Sequence, residues 1–338
     1  MQQRPSPKHV YRAPGRTKSE EAEGVIGRKL MLYRNLDERA HLRSPKHLLR
    51  WKLGLGPEPR RSSPRRCDVP FVHNDGRALA GAPAPSLTWI GHATYLLQLA
   101  GRSLLTDPIL SPRIALLPRN VAPGLAWEAL PTIDVVTVSH NHFDHMDRPT
   151  LQRLAKRETP PAAVVPLGLA RSMRAWGYRE VHELGWWDTA RVRGLDVTLV
   201  PAQHWSRRSA FDQDKTLWGG FVIEGGGLRA YHSGDTAYFS GFKQIGARAG
   251  KIDAAMLPIG AYDPRWFMRE QHMNPDDAVQ AFIDLGAERF FAMHWGTFKL
   301  TDEPLDEPPT LTRALFERRG LAAHGLVIPA IGETVSLG

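Results

Sequence analysis

Nine residues, SHNHFDHMD at 139–147, constrain this chain more than any other feature. They set His140, His142, Asp144 and His145 in the pattern H-x-H-x-D-H, directly after the apolar run IDVVTVS (133–139). Such a run reads as a buried strand, and its abrupt end delivers the histidines from the strand's C-terminal edge. Histidines two apart in an extended or turning segment can aim two imidazoles at one cation. The carboxylate and third histidine can then reach a second. Zinc takes imidazole at ~2.0–2.1 Å and carboxylate at ~2.0–2.2 Å, so the donor set suits N/O coordination. Cys67 is the single cysteine of 338 residues, which excludes a thiolate cluster and an internal disulfide.

Three further candidates each follow a strand-like run. His204 comes after VTLVPAQ, Asp235 sits in YHSGDTAY, and His294 ends RFFAMH. Singly each is weak, because a lone histidine at a strand end is commonly a hydrogen-bonded structural residue. Together with the H-x-H-x-D-H loop they complete two coordination shells.

Short apolar runs with glycine punctuation recur around these residues. LTWI (87–90), TYLLQL (94–99) and SLLT (103–106) read as strands. AVVPL (163–167), DVTLVPA (196–202), GGFVIEG (219–225), LRAYHS (228–233), DAAMLPI (253–259) and RFFAM (289–293) follow. Helices are expected over 148–157, 168–176, 241–248, 275–285 and 309–319. Asn274 before Pro275, with Asp276 and Asp277 behind it, has the form of a helix start. That leaves His272 in the preceding loop. Two strand sets, each with helices after it, predict an α/β four-layer sandwich with functional loops at the strand ends.

H-x-H-x-D-H with a later histidine, a G-D-T and a final histidine resembles the metallo-β-lactamase superfamily. The nearer likeness is to the N-acyl-phosphatidylethanolamine-hydrolysing phospholipase D group. It is carried by WIGHAT (89–94), LLTDPILS (104–111), AQHWSRR (202–208), LPIGAYDPRWFM (257–268), QHMNPDDAV (271–279) and HWGTF (294–298). These lie within roughly residues 86–310. The resemblance implies an αββα sandwich and two zinc ions, with iron or manganese as possible occupants of the same N/O cage. It implies one ion on His140, His142 and His204, a second on Asp144, His145 and His294, and Asp235 bridging both. Two divalent ions about 3.5–4 Å apart hold an activated water against the attacked centre. The products would be an N-acylethanolamine and phosphatidic acid, with Asp144, Asp235 and His272 as catalytic candidates. His272 is expected at the leaving group or the substrate phosphate. Arg208, Arg265 and Trp266 are candidate substrate contacts. Asp107, Asp147 and His92 are expected to support the ligands from behind.

Charge divides the chain. Residues 1–80 carry 18 Lys+Arg against 8 Asp+Glu, and the remainder carries 26 against 27. The basic character therefore belongs to an N-terminal extension, expected to be partly disordered, ahead of a hydrolase domain at 86–338. An apolar stripe of Ile26, Leu30, Leu32 and Tyr33 offers a short helix within it. Such an arm can attract anionic lipid headgroups. Nucleic acid is disfavoured as a partner, because the core is close to neutral. The loop 112–130, with Ile114, Leu116, Leu117, Leu125, Arg113 and Arg119, offers apolar and basic contacts to a lipid interface. No secretory signal or membrane span is legible, which suggests a cytoplasmic protein, peripheral to the membrane at most. Two alternatives share the same residues: a lactonase or carboxyl-ester hydrolase, and a membrane- or nucleic-acid-binding protein with a structural metal. Oligomeric state is not set by the sequence.

Overall fold

Strands covered on both faces need no polar alternation, and the long apolar runs of this chain follow that rule. The computed structural model describes residues 32–37, 44–80 and 85–338. Helix α1 (Pro45–Lys52) precedes a meander of β1 (Ser86–Gly91), β2 (Thr94–Leu99) and β3 (Arg102–Thr106). A small hairpin, β4 (Arg113–Ile114) and β5 (Leu117–Pro118), comes next. Then β6 (Val135–Thr137), β7 (Ala162–Pro166) and β8 (Val181–Leu184) extend the sheet in parallel from β3. Helices α2 (Arg148–Ala155) and α3 (Ala170–Ala175) are their crossovers.

The second sheet repeats the plan. β9 (Thr189–Val192), β10 (Leu195–Val200), β11 (Gly220–Gly225) and β12 (Leu228–His232) are antiparallel neighbours. β13 (Ile252–Pro258), β14 (Ala287–Met293) and β15 (Leu326–Val327) then continue in parallel from β12. Helices α4 (Gly241–Ala249), α5 (Arg265–Met268), α6 (Pro275–Leu285) and α7 (Glu307–Arg318) connect these strands, and β16 (Thr334–Ser336) returns to pair with β1.

The period-two alternation of β2 explains the layering. Tyr95, Leu97 and Leu99 join Phe221, Ile223 and Phe291 in the core between the sheets. Leu96 points the other way, into a second core with Leu151, Leu154 and Met173 from α2 and α3. Ala278, Phe282 and Phe316 cover the far side of the second sheet. The result is the expected αββα sandwich.

Strand direction positions the site. β1 and β3 each run antiparallel to β2, and β6 runs parallel to β3, so β1, β3 and β6 share one direction. By the same reasoning β10, β12, β13 and β14 share one. His92, Asp107, His140, His204, Asp235 and His294 all lie just past the C-terminal ends of these strands.

Several expectations need amendment. The run 133–139 supplies only three strand residues, and β8 and β9 were not foreseen. Ile26 and Leu30 lie outside the described residues, while Leu32 is exposed and Tyr33 packs on the core. Within the loop 112–130, Leu125 is buried and Arg119 is internal, donating to the carbonyls of Ile109 and Val121. Neither can touch an interface, whereas Leu116 is 94% exposed. Segments ahead of Ser86 strap onto the body: Trp51 of α1 packs against Phe267 and Met268 and donates Nε1 to Asp302 at 2.6 Å. Among the described residues, no helix is long and apolar enough to cross a membrane.

Candidate metal centre

The loop after β6 turns back on itself, with the amides of His145 and Met146 donating to the His142 carbonyl. This folds His140, His142, Asp144 and His145 toward one point. The Gly234 backbone, at φ 59°, carries the chain past Ser139 to Asp235. A Cβ at Gly234 would meet Ser139 Cβ at 2.6 Å, so the close approach requires glycine.

Two cups of donors result. His140, His142, His204 and Asp235 offer ligand atoms within 4.8 Å of one another, and so do His92, Asp144, His145 and His294. Asp235 stands between the cups: Oδ2 is 3.1 Å from His145 Nε2 and 3.9 Å from His204 Nε2, and Oδ1 is 3.0 Å from His294 Nε2. His92, expected behind the ligands, places its Nε2 2.9 Å from Asp144 Oδ2, and the ring also falls within the second cup. Its signal was the G-H turn after β1, the same strand-end position that marked the others.

The donor chemistry fits cations. Ring nitrogens face one another, His140 Nε2 to His142 Nδ1 at 2.8 Å and His145 Nε2 to His294 Nε2 at 3.3 Å. Asp235 Oδ1 is buried and in no hydrogen-bond geometry despite its nearness to His294. Proton affinities are pulled apart. Burial, then neighbouring His145, His142 and His204, hold His140 well below the usual imidazole range. Burial opposes charge on His294, but Asp235 and Asp144 outweigh it and lift the ring to about 9. Asp144 and Asp235 stay ionised, because the surrounding imidazoles overcome burial. Buried carboxylates that hold a proton on a neighbouring imidazole, with other ring nitrogens left facing one another, form a site where a divalent ion would replace protons on binding.

Asp107 accepts from the Ser139 amide and hydroxyl, both at 2.6 Å, and lies 2.7 Å from His145 Nδ1. It thereby fixes the tautomer and direction of His145. Asp107→Asn is expected to weaken metal affinity by about 10–100-fold. Titration with a competing chelator measures this, and unchanged affinity would contradict the role. Asp147 touches no histidine of the site; it caps α2, accepting from Thr150, and is bound by Ser111. Asn35, unnoticed in the sequence, brackets His204: its Nδ2 donates to the His204 carbonyl at 2.9 Å and its Oδ1 accepts from the His204 amide at 3.1 Å. Nothing in the local sequence signals a contact across 169 residues.

A cavity of about 650 Å³ opens above the cups, with His142, Asp144, Asp235 and His272 on its floor and Leu48, Ile114, Phe143, Trp205 and Phe267 on its walls. Arg208 lines it, but its Nη1 is engaged with the carbonyls of Asn141 and Met146 and its plane lies 4.4 Å over Phe143. Arg265 and Trp266 are not among the lining residues. Arg265 instead pairs with Asp277 and donates to the His272 carbonyl, steadying that loop. Asn274 and Asp277 form the capping box that starts α6, so His272 is held from both sides. His272 Nδ1 is 3.8 Å from Asp235 Oδ2, and burial takes the ring down to about 4. It is neutral at pH 7.

The chain belongs to the β-lactamase superfamily of metallo-hydrolases, whose family model, described as Beta-lactamase superfamily domain, matches residues 102–295. An N-acyl-phosphatidylethanolamine-hydrolyzing phospholipase D 1 of Caenorhabditis elegans is 36% identical over 248 residues, covering 69% of this chain and 70% of that protein. An uncharacterized protein of Mycobacterium tuberculosis (strain ATCC 25618 / H37Rv) is 40% identical over 235 residues, covering 66% of this chain. The match spans 62% of the mycobacterial relative's length. A solved metallo hydrolase from Ignicoccus hospitalis shares the fold, with a TM-score of 0.56 at 24% identity over 75% of this chain and 97% of its own.

Proposed function

We propose that this protein is a dinuclear metal-dependent phosphodiesterase of phospholipase D type, acting on N-acylated phosphatidylethanolamine or a related phospholipid. The observation that carries the reading is Asp235 standing between two donor cups at the floor of an apolar-walled cavity. His140, His142 and His204 would hold one ion, and Asp144, His145 and His294 the other, with Asp235 shared and His92 beside Asp144. A divalent pair, zinc by its donor set, supplies water activation at neutral pH and charge relief at the attacked phosphorus.

The chain's own residues do the rest. Leu48, Ile114, Phe143 and Phe267 provide an apolar lining suited to acyl chains, leaving the polar headgroup to descend to the floor. His272, neutral and steadied by Arg265, carries one ring N–H, which would donate to the leaving oxygen as negative charge develops there. Phe143, 48% exposed at the rim, supports a peripheral contact with a lipid surface. The likeness to the Caenorhabditis elegans phospholipase D supports the substrate class.

Metal-loaded protein offered N-acyl-phosphatidylethanolamine, bis(p-nitrophenyl) phosphate and a simple lactone decides the matter. Mass spectrometry should find phosphatidic acid and N-acylethanolamine from the lipid. Turnover of the lactone alone would replace this reading with a lactonase or carboxyl-ester hydrolase.

A further inference from the structure

A second cavity, of about 780 Å³, lies beside the first and shares Leu300 and Thr301 with it. Among the described residues its wall gathers Lys52, Arg60, Arg61, Arg65, Arg66 and Lys299, against one lining carboxylate, Asp302. Five of these six cations come from the segment ahead of Ser86, outside the family match. We propose that this cavity binds the phosphate headgroup of an anionic phospholipid lying next to the lipid in the metal-bearing cavity.

Three observations support a phosphate ligand. First, the acids already present are engaged. Asp302 accepts from Trp51 and lies 3.3 Å from Arg60, and Glu307 pairs with Arg61. Arg65 and Arg66 have no ion-pair partner among the described residues. Second, like charges are held together. Burial, with Arg60 adding to it, lowers the Lys52 ammonium against the pull of Asp302. Burial, with Arg61 adding to it, does the same to Lys299 against Glu303 and Asp302. A dianionic or monoanionic phosphate relieves that repulsion and can take two guanidinium forks at once. Third, the ammonium is fixed at the wall: Ser62 and Ser63 line it, and Ser63 Oγ, which donates to the Asp302 carbonyl, lies 2.6 Å from Lys299 Nζ.

The lipid source is favoured by what flanks the cations. Leu116 and Leu117 of the β4–β5 hairpin complete the lining, and Leu116 is 94% exposed. An apolar tip beside a basic hollow suits a headgroup whose acyl chains continue into a bilayer, and a nucleic-acid backbone has no use for it. The shared Leu300–Thr301 rim places the two hollows side by side, so both can face one membrane. This choice of source rests on the lipid substrate proposed above.

Full-length protein should be sedimented with vesicles of phosphatidylcholine alone and of phosphatidylcholine containing phosphatidylglycerol. The Arg65→Ala/Arg66→Ala double variant is the test. The control is Lys243→Ala/Arg318→Ala, which removes equal charge from α4 and α7, outside both cavities. Each basic residue near an anionic surface contributes about 1 kcal/mol. The double variant should therefore bind the anionic vesicles roughly 30-fold more weakly, at 1.4 kcal/mol per tenfold. The control should change by less than about threefold, because surface charges beyond the Debye length are screened. Equal losses in both variants would mean unspecific attraction and overturn the site. So would wild-type binding that ignores phosphatidylglycerol. Calorimetry with glycerol phosphate forms the other arm: tight binding lost in the variant while vesicle binding persists would assign the hollow to a soluble phosphate. Preference for single-stranded RNA over vesicles would overturn it too. None of these readouts needs turnover, so a failed hydrolysis assay leaves them interpretable.

Discussion

Asp235→Asn is expected to cut hydrolysis by on the order of 100-fold or more and to lower the metal content of the purified protein. Its two oxygens lie near His145, His294 and His204, so one substitution weakens both cups. Even the loss of a group that merely orients a ligand costs about 10–100-fold, and a shared carboxylate should exceed that. Asparagine keeps the size and removes the charge, and the surrounding imidazoles then lose the anion that balances bound cations. Metal analysis and phospholipid turnover should fall together, with circular dichroism unchanged. A variant that keeps full metal content and full turnover would dismiss the two-cup arrangement.

Stripping the metal should lower the melting temperature by about 6 °C for each ion held at a thousandfold excess over its Kd. Binding to the folded state alone stabilises by about 4 kcal/mol at that ratio. With an unfolding entropy of about 2.1 cal/mol/K per residue, a chain of this length gains roughly 0.7 kcal/mol per kelvin. The sign follows from the site. Without cations, Asp144 and Asp235 remain charged among buried imidazoles, and His140 and His142 face one another at 2.8 Å. Scanning calorimetry before and after chelation, then after adding zinc, measures the shift. A melting temperature indifferent to chelator would show that the cups hold nothing.

The sandwich was legible because both sheets are covered on both faces, and continuous apolar runs such as TYLLQL and DAAMLPI follow from that burial. β8 and β9 escaped notice because each is four residues long, too short a window for a period to emerge, and β8 has a single buried position. The H-x-H-x-D-H loop stood out because its donors are local. His204, Asp235 and His294 were readable only as strand-end residues taken together. His92 shares that strand-end position, and its contact with Asp144 comes only from the folded path. Arg265 looked like a phosphate contact from its charge, yet Asp277, twelve residues on, claims its guanidinium. Charge type is visible in a sequence; the partner it finds is decided by the folded path. Trp51 and Asn35 were invisible for the same reason, since each completes a hydrogen bond with a residue from another part of the chain.

Asn35 clamps a strand-end loop that is translated 169 residues after it. The clamp joins residues 169 apart, a strongly non-local contact of the kind that slows folding. Its release is correspondingly a partial opening, one that frees the backbone around His204 while both sheets stay intact. Hydrogen exchange at the His204 amide should therefore run ahead of exchange in the neighbouring strands, a local clock for how firmly Asn35 holds this donor's backbone in place.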